Sequence, residues 1–87
     1  MVYEDFDWDA ANIGHIAEHN VTPDEAEEAC VGDPYTRKTG EGRYLVYGTT
    51  DNGRYLFIVG INKGRGVFRT ITARDMTDRG KSLYKRR

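Results

Sequence analysis

The residues with the most obvious capacity for chemistry are arginines and tyrosines in the second half of the chain. Arg43, Arg54, Lys63, Arg65, Arg69 and Arg74 fall on or beside segments that read as β-strands, with Tyr44, Tyr47 and Tyr55 interleaved among them. Guanidinium forks match phosphate oxygens and aromatic rings stack on bases, so a sheet surface of this kind suits single-stranded nucleic acid. The alternative is that the cations line solvated edges while the tyrosines are half-buried core. Arg69 and Arg74 are five positions apart. A regular strand would put them on opposite faces, so either the strand bulges or Arg74 sits at its end and swings free.

Proton transfer needs other groups. His19 could shuttle protons near neutral pH, or could cap the first helix at its negative end. Tyr84 could orient a base or phosphate, or could pack in the core beside Met76 and Leu83. Cys30 reads as buried packing, because no base is placed near it. Two histidines and one cysteine without ligand spacing give no zinc site, and no Gly-rich loop of the dinucleotide or Walker type is present. Neither a metal nor another cofactor is therefore expected.

These groups need elements to hold them. Val2 to Trp8 reads as a weak strand or extended arm. Asp9 can cap a helix over residues 10–18 with Ile13, Ile16 and Ala17 as its apolar stripe. Thr22-Pro23-Asp24-Glu25 is a capping box with proline at the first helical position, opening a second helix that runs to about Val31 and buries Ala26, Ala29 and Cys30. Tyr35 to Lys38 can add a short strand, and Gly40-Glu41-Gly42 is a turn. Arg43 to Thr50, Arg54 to Ile61 and Val67 to Arg74 read as three strands, joined at Asp51-Asn52-Gly53 and at Asn62 to Gly66. Arg54 to Ile61 is apolar on both faces and so should be central. A last helix is predicted from near Asp75 or Met76. The order β-α-α-β-β-β-α gives one α+β domain over residues 1–87, with a mainly antiparallel sheet and helices packed on one face.

Composition sets limits. The 87 residues carry 13 Lys plus Arg and 14 Asp plus Glu, a net charge of −1. That total hides a split. Residues 1–34 hold ten acids and no Lys or Arg, whereas residues 35–87 hold all 13 basic residues and four acids. An acidic helical layer against a basic sheet layer is one reading, with the sheet side left to an anionic partner; internal pairing across the fold is the other. No apolar run approaches the roughly 20 residues that span a bilayer, and the acidic N-terminus lacks the layout of a signal peptide. With a single cysteine, a reducing cytoplasm and no membrane contact are expected.

Three stretches, in this order, resemble the BrnT toxin family, small proteins of the RelE-like ribonuclease superfamily. The first is Phe6-Asp7-Trp8-Asp9 followed by His19-Asn20-Val21, where the family typically shows F-x-W-D and then H-G-V or H-G-I. The second is the capped helix Thr22-Pro23-Asp24-Glu25-Ala26. The third is Arg69-Thr70-Ile71-Thr72-Ala73-Arg74, which is similar to the family's R-I-I-S-A-R segment, with Tyr84 at its late tyrosine. The chain departs from the family where Asn12 replaces a usual lysine, Asn20 a glycine, and Gly80 falls in a Glu-Arg-rich stretch.

The resemblance implies the toxin of a type II toxin-antitoxin system, a metal-independent endoribonuclease that inhibits translation. Its partners would be a cognate antitoxin, an RNA substrate and, through the antitoxin alone, operator DNA. In such cleavage the ribose 2′-hydroxyl attacks the adjacent phosphate. The site must deprotonate that hydroxyl, stabilise the phosphorane and protonate the leaving oxygen. The resemblance points to Arg74, Arg69, His19 and Tyr84 as the catalytic set; the basic strand surface adds Arg43, Arg54, Lys63, Arg65 and Tyr47 for RNA binding. Two other classes stay open: a non-catalytic RNA- or protein-binding module on the same fold, and an assembly domain that forms a homodimer through an edge strand.

Overall fold

A computed structural model of the protein describes residues 5–87. The part of the expected first strand at Val2 to Glu4 lies outside the described residues. The chain forms β1 (Asp5–Phe6), α1 (Ala10–Ala17), α2 (Pro23–Val31), β2 (Tyr35–Lys38), a single 3-10 turn at Gly40–Gly42, β3 (Arg43–Thr49), β4 (Tyr55–Gly64), β5 (Val67–Asp75) and α3 (Asp78–Arg86). The five strands make one sheet in the order β1-β5-β4-β3-β2. All neighbours are antiparallel except β1, which runs parallel to β5. The α+β class, the mainly antiparallel sheet and the central place of β4 are as the pattern predicts. β2 adds a strand to the predicted order because Tyr35–Lys38 pairs fully with Tyr44–Tyr47.

Both early helices start where their capping residues dictate. Asp9 and Asn12 bond reciprocally at the head of α1, and Thr22 and Glu25 do the same for α2; each cap contributes about 1 kcal/mol. Asn20 adopts a left-handed conformation between the helices (φ 59°), which Asn tolerates. The stripe of α1 is not the one its apolar residues suggest. Asn12 and Ile16 are buried, while Ile13 and Ala17 face solvent. Asn12 is fully satisfied in that position: its Nδ2 donates to the carbonyls of Asp7 (2.9 Å) and Thr70 (3.1 Å), and its Oδ1 accepts from the Asp9 N–H (2.8 Å). A polar side chain thus ties the N-terminal arm, α1 and β5 together.

α1 and α2 pack on one face of the sheet, over a core of Ile16, Val21, Ala26, Ala29, Cys30, Val46, Leu56, Ile58, Phe68 and Ala73. The expectation that all helices share a face fails for α3. It lies against the other face, where Tyr84 receives a hydrogen bond from Thr49 Oγ1 (2.9 Å), meets the Tyr55 ring edge-on, and Gly80 sits by Tyr47. α3 also begins later than predicted. Asp75 still pairs with Leu56, the Met76 N–H donates to the Tyr55 carbonyl, and only then does Thr77 cap the helix by accepting from Gly80 N–H. The second hairpin is tighter than predicted, with β4 running through Gly64 to a two-residue turn at Arg65-Gly66.

The decisive irregularity is in β5. Phe57 pairs with Arg74 and Val59 with Thr72, but Gly60 pairs with Thr70 and Ile61 with Arg69. Ile71 is therefore one residue too many, a bulge. It resolves the Arg69–Arg74 question: both side chains occupy the face away from α1 and α2, while Phe68, Thr70 and Ala73 keep the core face. Gly60 stands at this shift because the Phe68 ring fills the place of its missing side chain, with the Arg69 carbonyl also in the way. Gly60→Ala should cost about 1–3 kcal/mol through overpacking, read as a lower denaturant midpoint at unchanged m-value.

Candidate functional site

The face left open by α1 and α2 is partly roofed by α3, and the gap between them is a cleft of about 360 Å³. Its walls carry four guanidinium groups, those of Arg37, Arg74, Arg79 and Arg86, with Tyr47 and Phe57 from the sheet and Leu83 and Gly80 from α3. Strand alternation delivers the sheet residues. Tyr47 pairs with Phe57, Phe57 with Arg74, and Tyr35 with Tyr47, so one row crosses β2 to β5 on a single face. Ring centroids are 5.8 Å apart for Tyr35–Tyr47 and 5.0 Å for Tyr47–Phe57. The Arg74 guanidinium lies 5.3 Å from the Phe57 centroid, a cation–π contact that orients it without neutralising it.

Among the described residues none of the four cleft arginines makes an ion pair; the cations that do are Arg54, Arg69 and Arg87. The charge split is thus internal pairing in part. Arg69 reaches Asp9 (3.0 Å) and Asp7 (3.4 Å), pinning the arm to β5. Arg87 binds Asp33 at 2.7 Å. Arg54, predicted to track an RNA backbone, is held on the helix side by Asp75 (2.8 Å), Glu25 (3.1 Å) and the carbonyls of Asn20 (2.7 Å) and His19 (3.3 Å). Asp75 follows Arg74 in β5 and pairs with Leu56, so its carboxylate turns to the helix side, where Arg54 holds it, and not toward the cleft arginines.

The structure does not gather the predicted catalytic set. Of Arg74, Arg69, His19 and Tyr84, only Arg74 lines the cleft. His19 lies beyond α1, edge-on to His15 with centroids 6.3 Å apart, next to the Arg54 clamp. Tyr84 is buried, its hydroxyl donating to the Asp33 carbonyl (3.3 Å). Tyr47 is in the cleft, whereas Arg43 stands exposed at the start of β3 and Lys63 and Arg65 at the far hairpin. Sequence reading missed Arg37, Arg79 and Arg86. Arg37 had a legible signal, since two-residue alternation from Tyr35 puts both on one face. Arg79 and Arg86 had a weaker one, their spacing of seven along a helix.

Burial and then Glu27 push the Cys30 thiol up to about 12, so it is inert packing. Among the described residues no group of three or more His, Cys, Asp or Glu is placed to hold a metal ion, and no helix is long and apolar enough to cross a membrane.

Fold and site together define a small α+β domain whose last helix and open sheet face enclose an arginine-lined cleft. The model of the family described as ribonuclease toxin, BrnT, of type II toxin-antitoxin systems matches residues 8–80, and the chain belongs to that family. The likeness carried by the motifs is thereby borne out, and membership implies an antitoxin partner. No curated protein and no solved structure matches the chain.

The arginine clamps set the acid stability. Hydrogen bonding from Arg69 holds Asp9 below the usual carboxylate range, the Thr22 N–H and then Arg54 do so for Glu25, and Arg54 does so for Asp75. A carboxylate whose pKa is lower folded than unfolded adds stability above its unfolded value and loses it as pH falls through the folded one. The Tm should therefore be flat from neutrality to about pH 5 and fall below about pH 4. Arg54→Met should lower the Tm at pH 7 and make the acid fall shallower, measured by calorimetry across pH.

Proposed function

We propose that the protein is a metal-independent endoribonuclease that cuts RNA in the cleft between the open sheet face and α3, inhibits translation in the cytoplasm and is neutralised by its antitoxin. The observation that carries this reading is a set of four arginines, none in an ion pair among the described residues, around one cleft with aromatic walls. Each reacting step asks for a different group. The 2′-oxygen forms a bond to phosphorus as its proton leaves. The bond from phosphorus to the 5′-oxygen breaks, and that oxygen takes a proton. The products are a 2′,3′-cyclic phosphate and a 5′-hydroxyl.

Arginine stays protonated at any working pH, so Arg74 and its three neighbours can stabilise the phosphorane but cannot move protons. Tyr47 is the lining group suited to proton movement. Its hydroxyl has no hydrogen-bond partner among the described residues, whereas Asp75 is held by Arg54. Phe57 and Tyr47 give a splayed base rings to stack on, worth about 1–3 kcal/mol per base.

Arg74→Ala should retain the fold, because Arg74 is exposed and its side chain rests on a ring face. Cleavage of a model RNA should fall about 10²–10³-fold, the typical loss of one transition-state charge contact. Tyr47→Phe should keep RNA binding and lose rate. Native cleavage should persist in a chelator and yield cyclic phosphate ends. Growth arrest on expression of the protein alone should vanish with Arg74→Ala. RNA binding that weakens with salt but gives no products would instead identify a binding module.

A further inference from the structure

A second concavity, of about 400 Å³, lies at the other end of the β3–β4 hairpin and is lined by Lys38, Gly42, Tyr44, Asn62, Lys63 and Gly64. It does not share the arginine cleft's face. Lys38 pairs with Tyr44, Tyr44 with Gly60, and Asn62 with Phe68, which places Lys38, Tyr44 and Asn62 on the side of the sheet that carries α1 and α2. The two hollows are thus on opposite faces and towards opposite ends of the strands.

The chemistry of the lining is one-sided. Two ammonium groups, a carboxamide and a phenol line it, and among the described residues no carboxylate does. Asn62 Oδ1 accepts from the Gly64 N–H at 2.8 Å. Its acceptor end is therefore engaged locally, and its amide N–H groups have no partner among the described residues. The same holds for the ammonium groups of Lys38 and Lys63 and for the Tyr44 hydroxyl. A second irregularity supports the arrangement. Asn62 pairs with Phe68 and Gly64 with Val67, so Lys63 is an extra residue in β4, followed by Gly64 at φ 88°. Bulges of this kind re-aim a side chain, and the residue at this one is a lysine.

We propose that this hollow is a second anion site, one that takes a phosphate group through Lys38, Lys63, Asn62 and Tyr44, separate from the arginine cleft. Lysine ammonium groups hold phosphate as point charges, and the amide and phenol supply directed donors. The phosphate could belong to a polynucleotide backbone or to a small phosphorylated compound. The inference does not depend on whether the arginine cleft cleaves RNA, because none of its residues lines that cleft.

The test is a ¹H–¹⁵N NMR titration of the full chain with inorganic phosphate and, separately, with a short 2′-O-methyl oligoribonucleotide, which cannot be cut. Phosphate should move the amides of Gly42, Asn62 and Gly64. In Lys38→Gln/Lys63→Gln, two exposed positions whose change should leave the rest of the spectrum intact, binding should weaken at least about tenfold, since two charge-assisted contacts are lost. If the oligonucleotide moves the same amides and competes with phosphate, the site serves a polynucleotide backbone. If phosphate alone moves them, it serves a small phosphorylated compound. Absence of these shifts, or equal shifts in the double variant, overturns the proposal.

Discussion

The functional geometry depends on one residue too many in a strand. β5 must present Phe68, Thr70 and Ala73 to the helices and also put Arg69 and Arg74 on the far side. Strict alternation cannot do both. The Ile71 bulge lets the strand change phase between Thr70 and Thr72, at the position where Gly60 across the ladder has no side chain. Without that phase change Arg74 would point into the helical layer, where a guanidinium without a carboxylate is costly to bury. With it, Arg74 stands over Phe57 in the same row as Tyr47.

The other arginines explain why the cleft stays charged. Arg54 and Arg69 could be nucleic-acid contacts or internal pairs on the sequence alone, and each is fixed by two carboxylates. They hold the arm and the two early helices to the sheet, and Arg54 holds Asp75 on the helix side of β5. Exposed pairs contribute little one at a time, but each of these two guanidinium groups bridges separate elements. The contrast between acidic residues 1–34 and a basic remainder therefore has two meanings at once. Arg54, Arg69 and Arg87 answer acids within the fold, and Arg37, Arg74, Arg79 and Arg86 make no ion pair among the described residues.

The elements were legible wherever a local rule acts alone. Thr22-Pro23 with Glu25 announced α2, the apolar run of β4 announced a central strand, and the ordered motifs announced the family. The misses came from tertiary context. The buried face of α1 runs through Asn12, because a hydrogen-bonded amide there outranks an exposed Ile13, and no periodicity rule reports that. α3 took the second face because Tyr84 and Gly80 fit against Thr49 and Tyr47, contacts thirty or more residues apart in sequence. That placement brought Arg79 and Arg86 to the cleft and left Tyr84 in packing. The bulge was foreseen as one of two options, but only the pairing with β4 could select it.

The most direct test is the structure of the protein bound to a short 2′-O-methyl oligoribonucleotide. One phosphate is expected inside the cleft, within hydrogen-bond reach of Arg74 and of a second cleft guanidinium, with the Tyr47 hydroxyl beside the blocked 2′-oxygen and a base against the Tyr47 or Phe57 ring. A cleft without phosphate, with the oligonucleotide held only on the face that carries α1 and α2, would contradict it.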